Sequence, residues 1–249
     1  AKERGILCLS SPFDDEAVDL LEGLGAPAYK IASFENNHFP LLKKVAATGK
    51  PVSISTGMTN MSDIDEAVRV LRDGGAKEII VLKCTSSYPA SPADSNLMTI
   101  PHMSRALGCP VGLSDHTLGI GVPVAAVALG ACLVEKHFTL SRDDGGVDSS
   151  FSADPAELKA LVEESRRAFE SLGGVRYGIF GIEEVNQNYK RSIYVAEDIQ
   201  AGQTFTKENL RVIRPGLGLH PRNYERLLGT KAVRDLKKGT PLDWSLVSE

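Results

Sequence analysis

The 249-residue chain predicts an α/β protein on a parallel sheet, of the (β/α)-barrel type, followed by a small β-rich domain. Three observations carry this. Short apolar runs recur roughly every 25 to 30 residues, each followed by a stretch of helical period, which is βα repetition. Polar residues cluster directly after nearly every apolar run, which favours a barrel with its site at the strand carboxyl ends over a doubly wound sheet. After Gly173-Gly174 the texture changes to alternating segments and repeated glycine turns without a long helix.

The elements follow in order. Gly5–Leu9 (GILCL) reads as a strand closing on Ser10, Ser11 and Pro12, and Asp14-Asp15 open a helix over 16–24 ended by Gly25. Tyr29–Ala32 is a strand running into Ser33, Phe34 and Glu35, with a helix over 40–48 stopped by Gly49. Val52–Ser55 ends in Thr56-Gly57-Met58, and Ser62 predicts an N-cap for a helix to Asp73. Glu78–Leu82 leaves through Lys83, Cys84, Thr85, Ser86, Ser87 and Tyr88, and a loop leads to a helix over 97–107. Pro110–Leu113 and the strand from Leu133 flank a small-residue crossover helix over 119–130. Asp154-Pro155 cap a helix over 156–172 with Leu158, Leu161, Val162 and Phe169 apolar. Six strand–helix units are thus counted where an eightfold barrel needs two more. The divisions are a partial barrel over 1–173, a linker over 174–189 and a small domain over 190–249.

Composition narrows the function. The balance of 28 Lys and Arg against 32 Asp and Glu, a net charge of −4, gives no electrostatic case for nucleic acid or an anionic membrane. No apolar run is long enough to span a bilayer, and the first five residues do not read as a signal peptide. Cys8, Cys84, Cys109 and Cys132 stand singly within apolar patterns and form no C-x-x-C pair. They read as buried free thiols of a reducing cytoplasm.

The chemistry concentrates between Pro110 and Leu140. One strand ends in Ser114, Asp115, His116 and Thr117, the next in Glu135, Lys136 and His137. Two parallel strands one crossover apart each deliver a histidine at the carboxyl end, where α/β folds place their ligands. Two converging imidazoles are half of a metal site, whereas a single such histidine is more often structural. His38 and His102 lie in helical or loop contexts and read as surface residues.

Several motifs in one order resemble a known family, the sialic acid synthases. They are YKIASFE (29–35), ISTGM (54–58), LKCTSSYP (82–89), GLSDHT (112–117), EKHFT (135–139) and GGVDSSFS (145–152). RSIYVAEDI, RPGLGLHP and the LLG-x-x-A stretch of the tail resemble the family's antifreeze-like (SAF) domain. SFE after the lysine strand, RPGLGLHP, EKH and GVD are more similar to the pseudaminic acid synthases within that family. The resemblance implies a (β/α)8 TIM barrel whose first two βα units are missing from this chain, which is either a fragment of a longer protein or a barrel completed otherwise.

It also implies a reaction: condensation of phosphoenolpyruvate with an N-acetylated amino sugar and release of phosphate, a C–C bond-forming transfer. His116 and His137 match the two metal-binding histidines and Asp148 an aspartate near the metal, with manganese expected and magnesium or cobalt compatible with mixed N/O ligation. Lys30 matches a phosphate-binding lysine, and Ser33, Ser55, Ser114 and Ser11 (or its neighbour Ser10) match hydroxyl contacts. Lys83 and Lys136 either add positive charge or pair with carboxylates. Glu35 matches the glutamate beside the bound enol, and Thr85 and Tyr88 face the sugar. Arg214, in IRPG, matches an arginine that reaches the partner's sugar in a domain-swapped homodimer. The alternatives are an N-acetylneuraminate or legionaminate synthase, including one serving a spore-coat polysaccharide, an inactive carbohydrate-binding protein, or a barrel aldolase using Lys30 as a Schiff base.

Overall fold

The structure is a computed structural model and describes residues 1–248. The chain forms two compact units, Ala1–Gly173 and the remainder from Gly174.

The first unit is built on five parallel strands in sequential order: β1 (Tyr29–Ile31), β2 (Val52–Ser55), β3 (Ile79–Cys84), β4 (Val111–Asp115) and β5 (Val134–Lys136). Helices α1 (Asp15–Gly23), α2 (Phe39–Ala47), α3 (Met61–Asp73), α4 (Thr99–Leu107), α5 (Gly121–Ala128) and α6 (Pro155–Leu172) alternate with them. The helices bury Leu41, Leu42, Val45, Ala67, Val68, Leu71, Ile100 and Met103 against the sheet, with Ile31, Val52, Val81 and Val111 from the strands. Capping is as local chemistry dictates. Asn60, not Ser62, caps α3 and exchanges hydrogen bonds with Asp63, and Asp154 and Glu157 form the same reciprocal box at α6. The asparagine accepts from the Ser62 and Asp63 amides through one side-chain oxygen, so the helix starts two residues earlier than a Ser62 cap would allow.

The sheet is curled. β1 and β5 are its outer strands, and at about 4.8 Å per neighbour a flat sheet would hold them roughly 19 Å apart. Yet Lys30 Nζ of β1 lies 2.6 Å from Glu135 Oε1 of β5, so the two edges face each other across a concave interior. This half-barrel has five strands rather than the six expected. Gly5–Leu9 forms no strand, and only Ser10 bridges Tyr29. Ile6, Leu7 and Leu9 stay exposed, so the apolar run gains neither a pairing edge nor a covering layer. The far edge is extended by one bridge, Phe138 to Ala153. Of the α6 stripe only Leu161 is buried, while Val162 and Phe169 face solvent. Cys84 and Cys109 are buried but Cys8 and Cys132 are exposed, against the expectation of four buried thiols. Cys8 falls in the unpaired run and Cys132 in the turn before β5.

The second unit begins with an exposed segment, including a 3-10 helix over Gly181–Tyr189. Two short antiparallel pairs follow, β6 (Ser192–Val195) with β7 (Leu210–Ile213) and β8 (Lys231–Ala232) with β9 (Val247–Ser248). One helical turn, α7 (Tyr224–Leu227), closes on a core of Ile193, Phe205, Leu210, Leu227, Leu236 and Leu242. Among the described residues no helix is long and apolar enough to cross a membrane.

Candidate active site

The carboxyl ends of β4 and β5 place two imidazoles together. Asp115 of β4 is in register with Lys136 of β5, so the residues that follow, His116 and His137, leave the sheet side by side. Their ring centroids are 5.2 Å apart. Tyr88 lies 4.4 Å from the His116 ring, and Phe151 lies 5.0 Å from that of His137. The His137 Nδ1 is 3.5 Å from the Asp148 carboxylate.

The histidine tautomers follow from their partners. Thr85 offers His116 Nδ1 a backbone carbonyl at 2.9 Å, so Nδ1 must donate, and Nε2 of the neutral ring carries the free lone pair. Burial alone would lower the pKa of His116, but its hydrogen bonds with Cys84 and the Thr85 carbonyl outweigh that and hold it above the ordinary 6.5. His137 is shifted the other way, by burial and then by the charge of His116. Cys84, at the end of β3, shows the converse of His116. Burial would raise its thiol, but hydrogen bonding with His116 and Ser33 pulls it down to about 7.

A second polar group sits two residues deeper on the same strands. Glu135 Oε1 accepts hydrogen bonds from Lys30 Nζ at 2.6 Å and from Ser114 Oγ at 2.8 Å. Lys30 and Ser114 are buried and Glu135 is partly exposed. Strand alternation explains the layering, because Ser114 and His116 share one face of β4 while Asp115 points to the other. Asp115 and Lys136 form a buried ion pair at 2.6 Å.

The cleft over these strand ends has a volume of about 220 Å³ and is lined by Ser114, Asp115, His116, Glu135, Lys136 and His137. A larger cavity of about 510 Å³ opens at the opposite ends of the strands. Tyr29, Val52, Ile79, Pro110 and Leu133 line it, so it is the apolar underside of the sheet. The titratable side chains gather in the smaller one.

The predicted residues divide accordingly. His116, His137, Asp148, Tyr88 and Thr85 come together, and so do Lys30 and Ser114. Ser33 joins through its hydroxyl, which accepts the Gly57 amide at 3.0 Å. Ser86 and Ser33 crowd Gly57 so closely that a Cβ would lie 2.0 Å from Ser86 Oγ. Thr85 Oγ1 accepts from the buried Lys83 Nζ at 2.6 Å, and burial lowers that ammonium's pKa. Lys136 is the one of the two uncertain lysines that pairs with a carboxylate. Ser55 ends β2 and Glu35 ends the turn after β1, and each has a buried oxygen with no hydrogen-bond partner, Ser55 Oγ and Glu35 Oε2. Ser11 follows the bridge at the β1 edge and is half-buried. Arg214 is exposed on the second unit.

Glu135, Cys84 and Phe151 were not singled out from the sequence as site residues. For Glu135 the signal was its spacing, two residues before His137 and therefore on the same face of the strand. Nothing in the sequence marks the aromatic contact of Phe151.

His116 and His137 are the pair able to hold a cation. Their Nε2 atoms have no hydrogen-bond partner among the described residues, and carboxylates stand close by. Among those residues no group of three or more His, Cys, Asp or Glu side chains has metal-binding geometry, so protein nitrogens would fill only part of a coordination shell.

A curled parallel sheet with paired histidines at its carboxyl edge, followed by a small β unit, is the architecture of an α/β half-barrel with its polar site at the strand ends. The chain belongs to the NeuB family, whose model matches residues 1–177, and a SAF domain matches residues 190–248. Pseudaminic acid synthase of Campylobacter jejuni is 40% identical over 242 residues, which are 97% of this chain and 71% of that protein. The N,N'-diacetyllegionaminic acid synthase of the same species is 42% identical over 241 residues, 96% of this chain and 72% of that protein. Among solved structures, the spore coat polysaccharide biosynthesis protein SpsE of Bacillus subtilis superposes with a TM-score of 0.67 at 37% identity, covering all of this chain and 75% of that one.

Proposed function

We propose that this protein condenses phosphoenolpyruvate with an N-acetylated amino sugar and releases phosphate, and that the sugar is the diacetamido-6-deoxy-altrose which yields pseudaminic acid. The observation that carries this is the pairing of two groups on one strand edge. A lysine and a serine hydroxyl gather at Glu135, and two residues further out two imidazoles stand 5.2 Å apart. An anion and a carbonyl compound have adjacent places there.

The reaction needs C3 of the enol to attack the sugar aldehyde carbon, water to add at C2, and the C2–O bond to phosphate to break. Lys30 and Ser114 offer a charged donor and a hydroxyl to the anionic substrate, which replaces Glu135 as their partner. The orphaned Ser55 Oγ and Glu35 Oε2 are suited to the same task, since a buried polar atom without a partner costs free energy until a ligand satisfies it. Glu35 is the acid–base candidate for the water addition. His116 and His137 would hold a divalent cation, manganese in our reading with magnesium or cobalt as substitutes, and its contribution when bound is to polarise the aldehyde oxygen. Asp148, beside His137, orients that ring, and Thr85 and Tyr88 border the sugar's place.

We further propose that the sheet is the larger part of an eight-stranded barrel, as its parallel order and curl support. We also propose that the active unit is a domain-swapped homodimer in the cytoplasm, with Arg214 of one subunit serving the partner's site.

The test is product analysis by mass spectrometry after incubation with phosphoenolpyruvate and each of three sugars: N-acetylmannosamine, the 6-deoxy diacetamido-altrose and the 6-deoxy diacetamido-mannose. A nonulosonic acid from the altrose sugar alone supports the full proposal. A product from another sugar replaces the sugar and keeps the chemistry. Absence of product from all three defeats the proposal.

A further inference from the structure

We infer that the buried Asp115–Lys136 pair is a positioning device for the two histidines, a role distinct from binding substrate. The inference rests on the reading of His116 and His137 as a cation-binding pair.

The ladder between β4 and β5 ends at these two residues, which are register partners. His116 and His137 are the next residues on each chain, beyond the last β4–β5 pairing. At that point the side chains of the pair take over. Lys136 Nζ donates to Asp115 Oδ2 at 2.6 Å and to the Thr117 carbonyl at 2.7 Å. Asp115 Oδ1 accepts from the Thr117 amide at 3.0 Å and from its hydroxyl at 2.8 Å. The residues on both sides of His116 are therefore tied to one ammonium, which belongs to the residue immediately before His137. The ties are rigid because all three side chains are enclosed. Lys136 is 4% and Asp115 2% exposed at the side chain, and Thr117 is 1% exposed overall.

Two further contacts show what this leaves to the pair. The His116 carbonyl accepts from Ala90 N at 2.9 Å and the His137 carbonyl from Ala153 N at 2.8 Å, so each histidine is anchored to a different outer segment. Beyond the ladder, the Lys136 network is the hydrogen-bonded link between the two segments, beside the ring contacts of Tyr88 with Phe151 and His137. Stability does not require it, because a buried ion pair is often no better than a well-packed apolar pair of similar volume. Its register position accounts for it.

The experiment is a manganese titration of the full chain, with free Mn2+ read by electron paramagnetic resonance and the unfolding midpoint measured in parallel. The double variant Asp115→Leu/Lys136→Met removes both charges together, so neither is left buried alone. Asp115→Asn/Lys136→Met keeps an acceptor for Thr117 and serves if the first does not fold. His137→Ala is the control for the site itself. We expect a folded double variant with Mn2+ affinity lowered on the order of 10- to 100-fold, the range seen when supports of metal ligands are removed. At saturating Mn2+ the KM for phosphoenolpyruvate stays at its wild-type value, because Lys30, Ser114 and Glu135 lie on the other face of the strands. Unchanged Mn2+ affinity in a folded double variant overturns the positioning role while wild type and His137→Ala still differ. If wild type and His137→Ala bind Mn2+ alike, the cation-binding reading fails, and the inference with it.

Discussion

His116 is constrained at its ring by the Thr85 carbonyl and at its backbone by Ala90, and its proton is held more tightly than that of an ordinary imidazole. A cation must displace that proton. Metal affinity is therefore full above the raised pKa of His116 and falls as pH drops through it, by about tenfold per pH unit for one displaced proton. His137, whose pKa is lowered, is already neutral in that window and adds no slope there. Mn2+ titrations between pH 6 and 9 should give a single-proton slope at the acid end, and a flat profile would show that His116 is not a ligand. Replacing either His116 or His137 with alanine should abolish metal-dependent turnover and leave the far-ultraviolet circular dichroism unchanged. Near-normal turnover in either variant would remove the metal-site assignment.

At the scale of elements, β4 explains how closely the site is built. Gly112 has no room for a side chain, since a Cβ would meet the Leu133 carbonyl oxygen at 2.5 Å and Leu82 Cδ2 at 2.7 Å. The first is backbone held next to β5 and cannot turn aside, and the second is the tip of a fully buried side chain with little room to move. Gly112→Ala should destabilise the fold by roughly 1 to 3 kcal/mol, as overpacked cores do, measured by urea unfolding. A variant of wild-type stability would mean that β4 can separate from the chain before β5. Much of this layout was legible in the sequence, because a polar cluster after each apolar run is a local signal. Every helix from α1 to α6 lies within a few residues of its expected position, and the histidine strands end where their motifs do. The failures share a cause in tertiary context. Gly5–Leu9 has strand-like composition, but a strand needs a partner, and the pairing begins only at Ser10. The link from Lys30 to Glu135 spans 105 positions and depends on curl, which no window of sequence contains.

For the whole molecule, the proposed homodimer makes a specific claim about Arg214, which lies on a different compact unit from the histidines. Arg214→Ala should raise the KM for the amino sugar and leave that for phosphoenolpyruvate near wild type. If one subunit's Arg214 serves its partner's site, an inactive His137→Ala protein and an Arg214→Ala protein should complement when mixed and allowed to exchange subunits. Half of the dimers then carry one intact site of two, so activity should recover towards about a quarter of wild type. Activity no greater than the sum of the two separate variants would place Arg214 in its own subunit's site, or in none.

The central claim, that this half-barrel edge joins phosphoenolpyruvate to an amino sugar with a cation at its histidine pair, is tested most directly by phosphate release. The wild-type protein would be assayed with phosphoenolpyruvate and the diacetamido-altrose sugar, with Mn2+ and after chelation. Phosphate released only when sugar and Mn2+ are both present is the predicted result. No release from metal-loaded protein with any amino sugar of the panel would contradict it and favour a carbohydrate-binding protein without catalysis.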